Sequence, residues 1–302
     1  MKTFADAERK IASDTRLALE IDQRQQGIER EVVLLDAASE TALRKTHRRY
    51  FETWVQIAKS AADTVKRVSQ ELGGKSANVI FADADLEAAV TRGVLHCFEN
   101  AGQSCNAPTR MLVEQSVYDD AVAIAARVAK AARQGDPKDK GPHFGPVVSK
   151  LHFDKIQGLI QAGIDEGAEL IAGGTGRSDG FHRGYYVKPT IFAGVHNAMT
   201  IAQEEVFGPV LVMIPFADEA DAIRIANDSP YGLAAYVQCG DQDRALRVAR
   251  RMRAGGVSIN GASQDYQAPF GGYKQSGNGR EYGEFGLRDF LEVKVINGFH
   301  AR

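Results

Sequence analysis

The sequence predicts an α/β protein in which a parallel-rich sheet is flanked by helices, and three observations carry that expectation. From Asn78 onward, short apolar runs alternate with longer stretches whose apolar residues recur at helical spacing, the order of elements that builds a parallel sheet. Glycine and proline clusters, among them Gly135-Asp136-Pro137 and Gly145-Pro146, punctuate the alternation where connections are needed. The chain of 302 residues, 44% hydrophobic and 25% charged, is long enough to bury one large core or two modest ones.

Residues 1–51 are dense in charges of both signs, and Leu17, Ile21, Ile28, Val32 and Leu35 line one stripe of a helical segment despite Gly27. From Glu52, the residues Trp54, Ala58, Ala61, Ala62, Val65 and Val68 form an amphipathic helix, followed by a short strand at Gln70-Glu71-Leu72 and a turn at Gly73-Gly74. The strand Asn78-Val79-Ile80-Phe81 leads into a helix over 86–99, and the strand 110–114 into a helix over 117–133. Beyond Gly145-Pro146 a helix presents Phe153, Ile156 and Ile160 on one face, and Glu169-Leu170-Ile171-Ala172 makes a short strand. Tyr185 to Phe192, Val210 to Pro215 and Ala234 to Gln238 are further strands, separated by helices near 219–227 and 241–253, and Val257-Ser258-Ile259-Asn260 closes the set. The segment 288–297, with Phe290, Val293 and Val295, reads as an extended tail.

Composition removes several function classes. A formal net charge of −2 and a pI near 6.4 leave no electrostatic footprint for nucleic acid or an anionic membrane. No stretch approaches the roughly 18 apolar residues of a spanning helix. Three cysteines, Cys97, Cys105 and Cys239, are too few for a disulfide framework, and Met1-Lys2-Thr3-Phe4-Ala5-Asp6 leads into charges rather than an apolar signal core, so a reducing cytoplasm is the expected compartment. The histidines lack metal-ligand spacing, and no metal site is expected.

The chemistry concentrates at Phe98-Glu99-Asn100-Ala101-Gly102-Gln103-Ser104-Cys105. Leu86, Val90, Val94 and Cys97/Phe98 recur at helical spacing, so a helix ends at Asn100-Ala101-Gly102, where glycine can take a positive φ, and delivers Cys105 into a loop ahead of Met111-Leu112-Val113. A reactive thiolate needs partial exposure with donors or positive potential nearby to lower its pKa from about 8.5. Spacing alone leaves Cys105 open between such a nucleophile and a small core residue. Cys97, on the buried face of the helix, and Cys239, at the end of a strand, read as filler.

Four motifs in order carry a resemblance. Glu71-Leu72-Gly73-Gly74-Lys75-Ser76, the Phe98 to Cys105 stretch, Glu204-Glu205-Val206-Phe207-Gly208-Pro209 and Pro269-Phe270-Gly271-Gly272-Tyr273-Lys274-Gln275-Ser276-Gly277 with Gly279-Arg280-Glu281 together resemble the aldehyde dehydrogenase superfamily, over about Glu52 to Ile296. The resemblance implies an aldehyde dehydrogenase-like catalytic domain that oxidises a small-molecule aldehyde to a carboxylic acid, with NAD or NADP as cofactor. It implies Cys105 as the nucleophile that forms a thiohemiacetal and then a thioester, and Glu71 as the base for the deacylating water. It also implies Glu205 at the nicotinamide ribose, Phe207 beside the ring, Gly73 in a close-approach turn at the cofactor, and Glu281 as a proton relay, the other reading of Glu281 being a salt-bridge partner for Arg280. The tail implies a homo-oligomer built through a C-terminal strand.

The expected organisation is therefore a helical segment over 1–51, a remnant of a dinucleotide-binding domain over 52–73, a catalytic domain over 74–275, and a return segment with an oligomerisation strand over 276–302. Most of the family's cofactor domain is expected to be missing, and Thr46-His47-Arg48-Arg49-Tyr50-Phe51 with Trp54 stands where a phosphate-cradling glycine turn belongs. From this follows an alternative: a catalytically silent fragment that associates with full-length relatives.

Overall fold

The computed structural model describes residues 54–298, and the helical segment expected over 1–51 lies outside them. The chain divides into two units, Met1–Val68 and Ser69–Arg302. In the first, the expected amphipathic helix is α1, Trp54–Ala62. It stops earlier than its apolar periodicity suggests, because the N–H groups of Thr64 and Lys66 both turn back onto the Ala61 carbonyl, at 3.2 and 3.1 Å. Val65 takes a left-handed φ of 56° in that turn and is 91% exposed, so it does not extend the apolar stripe.

The second unit is a seven-stranded sheet between two helical layers. Its strands are β1 (Ala77–Ile80), β2 (Arg110–Glu114), β3 (Glu169–Ala172), β4 (Thr190–Ala193), β5 (Val210–Phe216), β6 (Ala234–Gln238) and β7 (Gly256–Ile259), in the spatial order β3-β4-β5-β2-β1-β6-β7. Every pairing is parallel except β3 with β4. Helices α2 (Leu86–Phe98) and α3 (Tyr118–Ala131) cover one face, where Val90, Val94, Phe98, Ala121 and Ala125 meet Ile80, Met111, Val113 and Met213. Helices α4 (Lys150–Asp165), α5 (Thr200–Gln203), α6 (Glu219–Asn227) and α7 (Gln242–Ala249) cover the other, where Ile156, Ile160, Ile201, Ile223 and Val248 meet Val79, Leu112, Val212 and Ile214. Burial on both faces explains why the central strands read as continuous apolar runs rather than alternating ones. Each fully buried side chain of this kind contributes about 1.5–3 kcal/mol.

The helices start where side chains can accept their first free N–H groups. Asp85 caps α2 through Ala88 N, Ser149 caps α4 through His152 N, and Asp218 caps α6 through Asp221 N. A last short helix, α8, spans Gly283–Arg288, and beyond it Phe290, Val293, Val295 and Ile296 are exposed and outside regular structure.

Two expected strands are corrected. Tyr185 to Phe192 contributes only its end to the sheet, as β4, because Pro189 has no N–H for a ladder and the preceding residues bond elsewhere. The Tyr185 carbonyl accepts from Val147 N at 3.0 Å, and that of Tyr186 from Ser178 N at 3.0 Å. Gln70-Glu71-Leu72 is a single bridge between Glu71 and Gly277 rather than a strand.

Arg110 ties the sheet to α6. It is fully buried, and its guanidinium donates to Lys75 O at 2.9 Å, Asn197 Oδ1 at 2.8 Å, Ile225 O at 3.0 Å and Ala226 O at 2.8 Å. The last two are carbonyls of the final turn of α6, where a cation is favoured. We expect Arg110→Met to cost about 2–4 kcal/mol by leaving buried carbonyls unpaired. Urea unfolding checks this, and a loss below about 1 kcal/mol would contradict the role given to Arg110.

Candidate active site

The loops that carry the first three motifs precede strands, while the last motif follows β7. Gly73-Gly74 runs into β1, Cys105 into β2, Glu204–Pro209 into β5 and Gly232 into β6, and these four strands are adjacent and parallel. The site therefore lies at the amino ends of the central strands, opposite the edge where open α/β sheets ordinarily bind ligands.

Cys105 reaches that edge by an abrupt turn. After Phe98 the chain passes through three consecutive left-handed residues, Asn100, Ala101 and Gly102, with φ of 51°, 55° and 73°. Asn100 Nδ2 donates to Gln103 O at 2.9 Å, and Gln103 Nε2 returns a bond to Asn100 O at 3.1 Å. Gly102 is required twice over, by its φ and because a Cβ there would lie 2.0 Å from Gly208 O. A Cβ on Gly74 would lie 2.2 Å from Cys105 O. The thiol is half-buried, within reach of its own N–H and that of Asn106.

Glu71 is the carboxylate whose charge acts on the thiol. Burial, then the charge of Glu71 and the bond to it, push the Cys105 thiol up to about 12. A carboxylate rather than a positive charge thus acts on the thiol. Glu71 itself is raised above the ordinary carboxylate range, chiefly by burial and further by the charges of Glu281 and Glu205, with the Cys105 bond opposing. The structure thus gathers Cys105, Glu71, Glu205 and Glu281 into one electrostatic cluster.

Glu205 and Phe207 lie on the neighbouring loop. Gly74 N–H donates to Glu205 Oε1 at 2.8 Å, and a Cβ on Gly73 would fall 2.3 Å from Glu205 Oε2. Phe207 has a left-handed φ of 55°, an uncommon conformation for an aromatic residue. Helix α4 supports it: His152 Nε2 donates to Phe207 O at 2.6 Å and its ring meets the Phe207 ring edge-on, while Lys155 Nζ donates to Glu205 O at 3.1 Å. Sequence reading missed both residues, because only the folded chain places helix α4 beside residues 205–207. Glu281 is fixed by its backbone, its N–H bonding Phe270 O at 2.6 Å and its carbonyl accepting from Phe270 N at 2.8 Å. Arg280 is engaged elsewhere, donating to Gly272 O and Gly279 O and lying 5.4 Å from the Tyr273 ring centroid.

The other two cysteines are structural. Cys97 is buried, and desolvation pushes its thiol up to about 12, while Cys239 is buried against Arg244, whose Nε lies 3.1 Å from the sulfur. Among the described residues no group of side chains could hold a metal ion, and no helix is long and apolar enough to cross a membrane.

Behind the glycine turn sits a lysine that sequence reading also passed over. Lys75 is 2% exposed, and its Nζ has no hydrogen-bond partner. Burial, reinforced by Arg110 and opposed by Cys97, Glu205 and Glu204, lowers it to about 7. A lysine depressed in the folded state binds fewer protons there than in the unfolded chain between about 7 and its ordinary 10.5, so stability rises with pH across that window and is lowest below it. We expect Lys75→Met to unfold at higher urea at pH 6, with a gain of about 1–3 kcal/mol, and to lose that pH dependence. A variant less stable than the parent at pH 6 would contradict this.

A second expectation concerns the thiol. Because the Glu71 carboxylate holds the Cys105 proton in place, Glu71→Gln should shift the pH profile of Cys105 alkylation by iodoacetamide to lower pH. An unmoved profile, or one shifted upward, would show that Glu71 does not control the thiol.

The amino edge of a mostly parallel α/β sheet thus carries one half-buried cysteine with carboxylates and an aromatic ring on the neighbouring loops. The comparisons identify the family. A family model described as the aldehyde dehydrogenase family matches residues 51–296, and the chain belongs to that family. It is 52% identical over 245 residues to the 3-succinoylsemialdehyde-pyridine dehydrogenase of a Pseudomonas species, covering 81% of this chain and 51% of that protein. A Cys-to-Ala mutant of aldehyde dehydrogenase C from Pseudomonas syringae, solved with NAD+ and octanal, superposes with a TM-score of 0.80 at 48% identity, over 82% of this chain and 51% of that one. An aldehyde dehydrogenase from Mycobacterium tuberculosis, solved with NAD+, gives a TM-score of 0.78 at 43% identity, over 82% and 52% of the two chains. The chain spans about half the length of the curated relatives it matches.

Proposed function

We propose that this chain carries the thiol half of aldehyde oxidation, with Cys105 as nucleophile and Glu71 as base. The observation that supports it is a Glu71 carboxyl, raised above its ordinary range, whose charge acts on the half-buried Cys105 thiol. The Cys105 sulfur attacks the aldehyde carbon as its proton passes to solvent, giving a thiohemiacetal whose oxyanion is met by backbone N–H groups at Cys105 and Asn106. Once the thiohemiacetal has been oxidised to a thioester, Glu71 takes a proton from water as the water attacks the acyl carbon, and the Cys105 thiolate leaves. Glu281, whose charge already acts on Glu71, relays the proton outward.

The residues present fit the nicotinamide end of NAD or NADP: Glu205 offers a carboxylate to vicinal hydroxyls, Phe207 an aromatic face, and Gly73 a position that a side chain would close. When bound, the nicotinamide supplies the hydride acceptor. NAD is favoured by the two relatives solved with it. Octanal in the Pseudomonas syringae relative favours an aldehyde as substrate. The exposed apolar row Phe290, Val293, Val295 and Ile296 supports assembly of like chains through the tail, and three free cysteines support a reducing compartment such as the cytoplasm.

Thiol attack on an activated ester needs no nicotinamide, so it isolates this half-reaction. We expect a burst of acylation from p-nitrophenyl acetate that Cys105→Ala abolishes and that Cys97→Ala and Cys239→Ala leave largely intact. Glu71→Gln should keep the burst and slow the turnover that follows by about 10²-fold or more. Mass spectrometry of the trapped protein checks the assignment: an acyl group on Cys97 or Cys239 would sink it, and a chain that never acylates would favour the silent-fragment alternative.

A further inference from the structure

The glycine-rich segment near the end of the chain forms the other side of the Glu71 backbone. Leu72 N donates to Ser276 O at 3.0 Å, Asn278 N donates to Gln70 O at 3.2 Å, and Glu71 and Gly277 form an antiparallel bridge. The remaining N–H of this short ladder, that of Gln70, is taken by a side chain, Asn278 Oδ1, at 3.0 Å. Gly277 permits the approach, since a Cβ there would lie 2.0 Å from Gln70 O at a φ of 126°. Gly279 is pressed in the same way, its missing Cβ falling 2.7 Å from that of Ser69.

The far side of this segment is anchored in the sheet. Ser276 is wholly buried, and its Oγ accepts from Gly232 N at 2.9 Å. Tyr273 N donates to Gly232 O at 2.8 Å and Gln275 N to Pro230 O at 3.0 Å, so the segment is bolted to the loop that enters β6. Three residues further on, Glu281 is held by its pairing with Phe270, and its charge acts on Glu71. Glu71 and Glu281 thus both take their places from one short stretch of chain.

We propose that Asn278 is a positioning residue for Glu71, fixing the backbone from which its carboxylate reaches the Cys105 thiol and the deacylating water. The proposal rests on the reading of Glu71 as the base. A glutamate side chain has three rotatable bonds, so its reach is only as exact as the backbone beneath it, and a misplacement of about 1 Å can cost about 10²-fold. Asn278 is the one contact of the ladder that substitution can remove without deleting backbone. It is exposed, so its loss should leave the fold intact.

The test compares Asn278→Ala, Asn278→Asp and Glu71→Gln in the full chain with p-nitrophenyl acetate, reading burst and steady-state turnover separately. Asn278→Ala should keep the acylation burst and slow turnover by about tenfold. Asn278→Asp keeps the acceptor oxygen and should stay within about twofold of the parent. Hydrogen exchange gives a readout independent of chemistry: the amides of Gln70 to Leu72 should exchange about fivefold faster or more in Asn278→Ala, with those of residues 103–107 unchanged. Turnover within twofold of the parent in Asn278→Ala while Glu71→Gln is slowed overturns the positioning role and leaves the base assignment standing. An unaffected Glu71→Gln sinks the base assignment itself. Unchanged exchange across 70–72 overturns the proposal whether or not the chain turns over ester.

Discussion

Close approach of backbone to backbone is the constraint on which the rest of this site depends. Residues 71–74, 102–105, 205–208 and 276–279 are far apart in sequence, yet the places of missing Cβ atoms on Gly74, Gly102 and Gly277 lie 2.2, 2.0 and 2.0 Å from a carbonyl oxygen of a neighbouring segment. Real Cβ atoms do not tolerate such distances, so any side chain would drive two segments apart and move a functional group with them. The glycines here act less as turns than as spacers of zero width. Because the first three segments lead into central strands and the fourth is bonded to the loop that enters β6, the rigidity of the parallel sheet passes to the thiol and its carboxylates.

That geometry also sets the electrostatics. Burial raises both Glu71 and Cys105, the Glu71 charge adding to the shift of the thiol and the charges of Glu281 and Glu205 to that of Glu71. Behind the glycine turn Lys75 is stranded without a hydrogen-bond partner and lowered to about 7, chiefly by burial. A charge so placed costs stability and offsets little of it through Glu204 and Glu205. Arg110, which donates to the Lys75 carbonyl, shows the opposite solution: an equally buried cation whose three nitrogens each reach a carbonyl or an amide oxygen.

Much of the fold was legible because it rests on short-range patterns. The alternation of apolar runs and helical stripes from Asn78 to Ile259 placed six of the strands near their positions, and Asp85, Ser149 and Asp218 cap helices where their side chains can reach the free N–H groups. Misreadings occurred where a distant partner or a single residue overrode the local pattern. Pro189 cannot join a ladder, so Tyr185 and Tyr186 bond to Val147 and Ser178 instead. Val65 carries the right apolarity for the helix but sits in the left-handed turn that ends it.

For the site, the sequence by itself determined which residue types are present and in what order: one cysteine after a glycine turn, a glutamate before two glycines, a glutamate and a phenylalanine before Gly208-Pro209. Only the tertiary structure decided that Cys105 is raised rather than lowered, that Asn278 closes the ladder behind Glu71, and that His152 and Lys155 brace the Glu205–Phe207 loop. The physical reason is range. Periodicity, caps and turns are set within a few residues of chain, whereas burial, charge and backbone contact are sums over whatever the fold brings within a few ångströms.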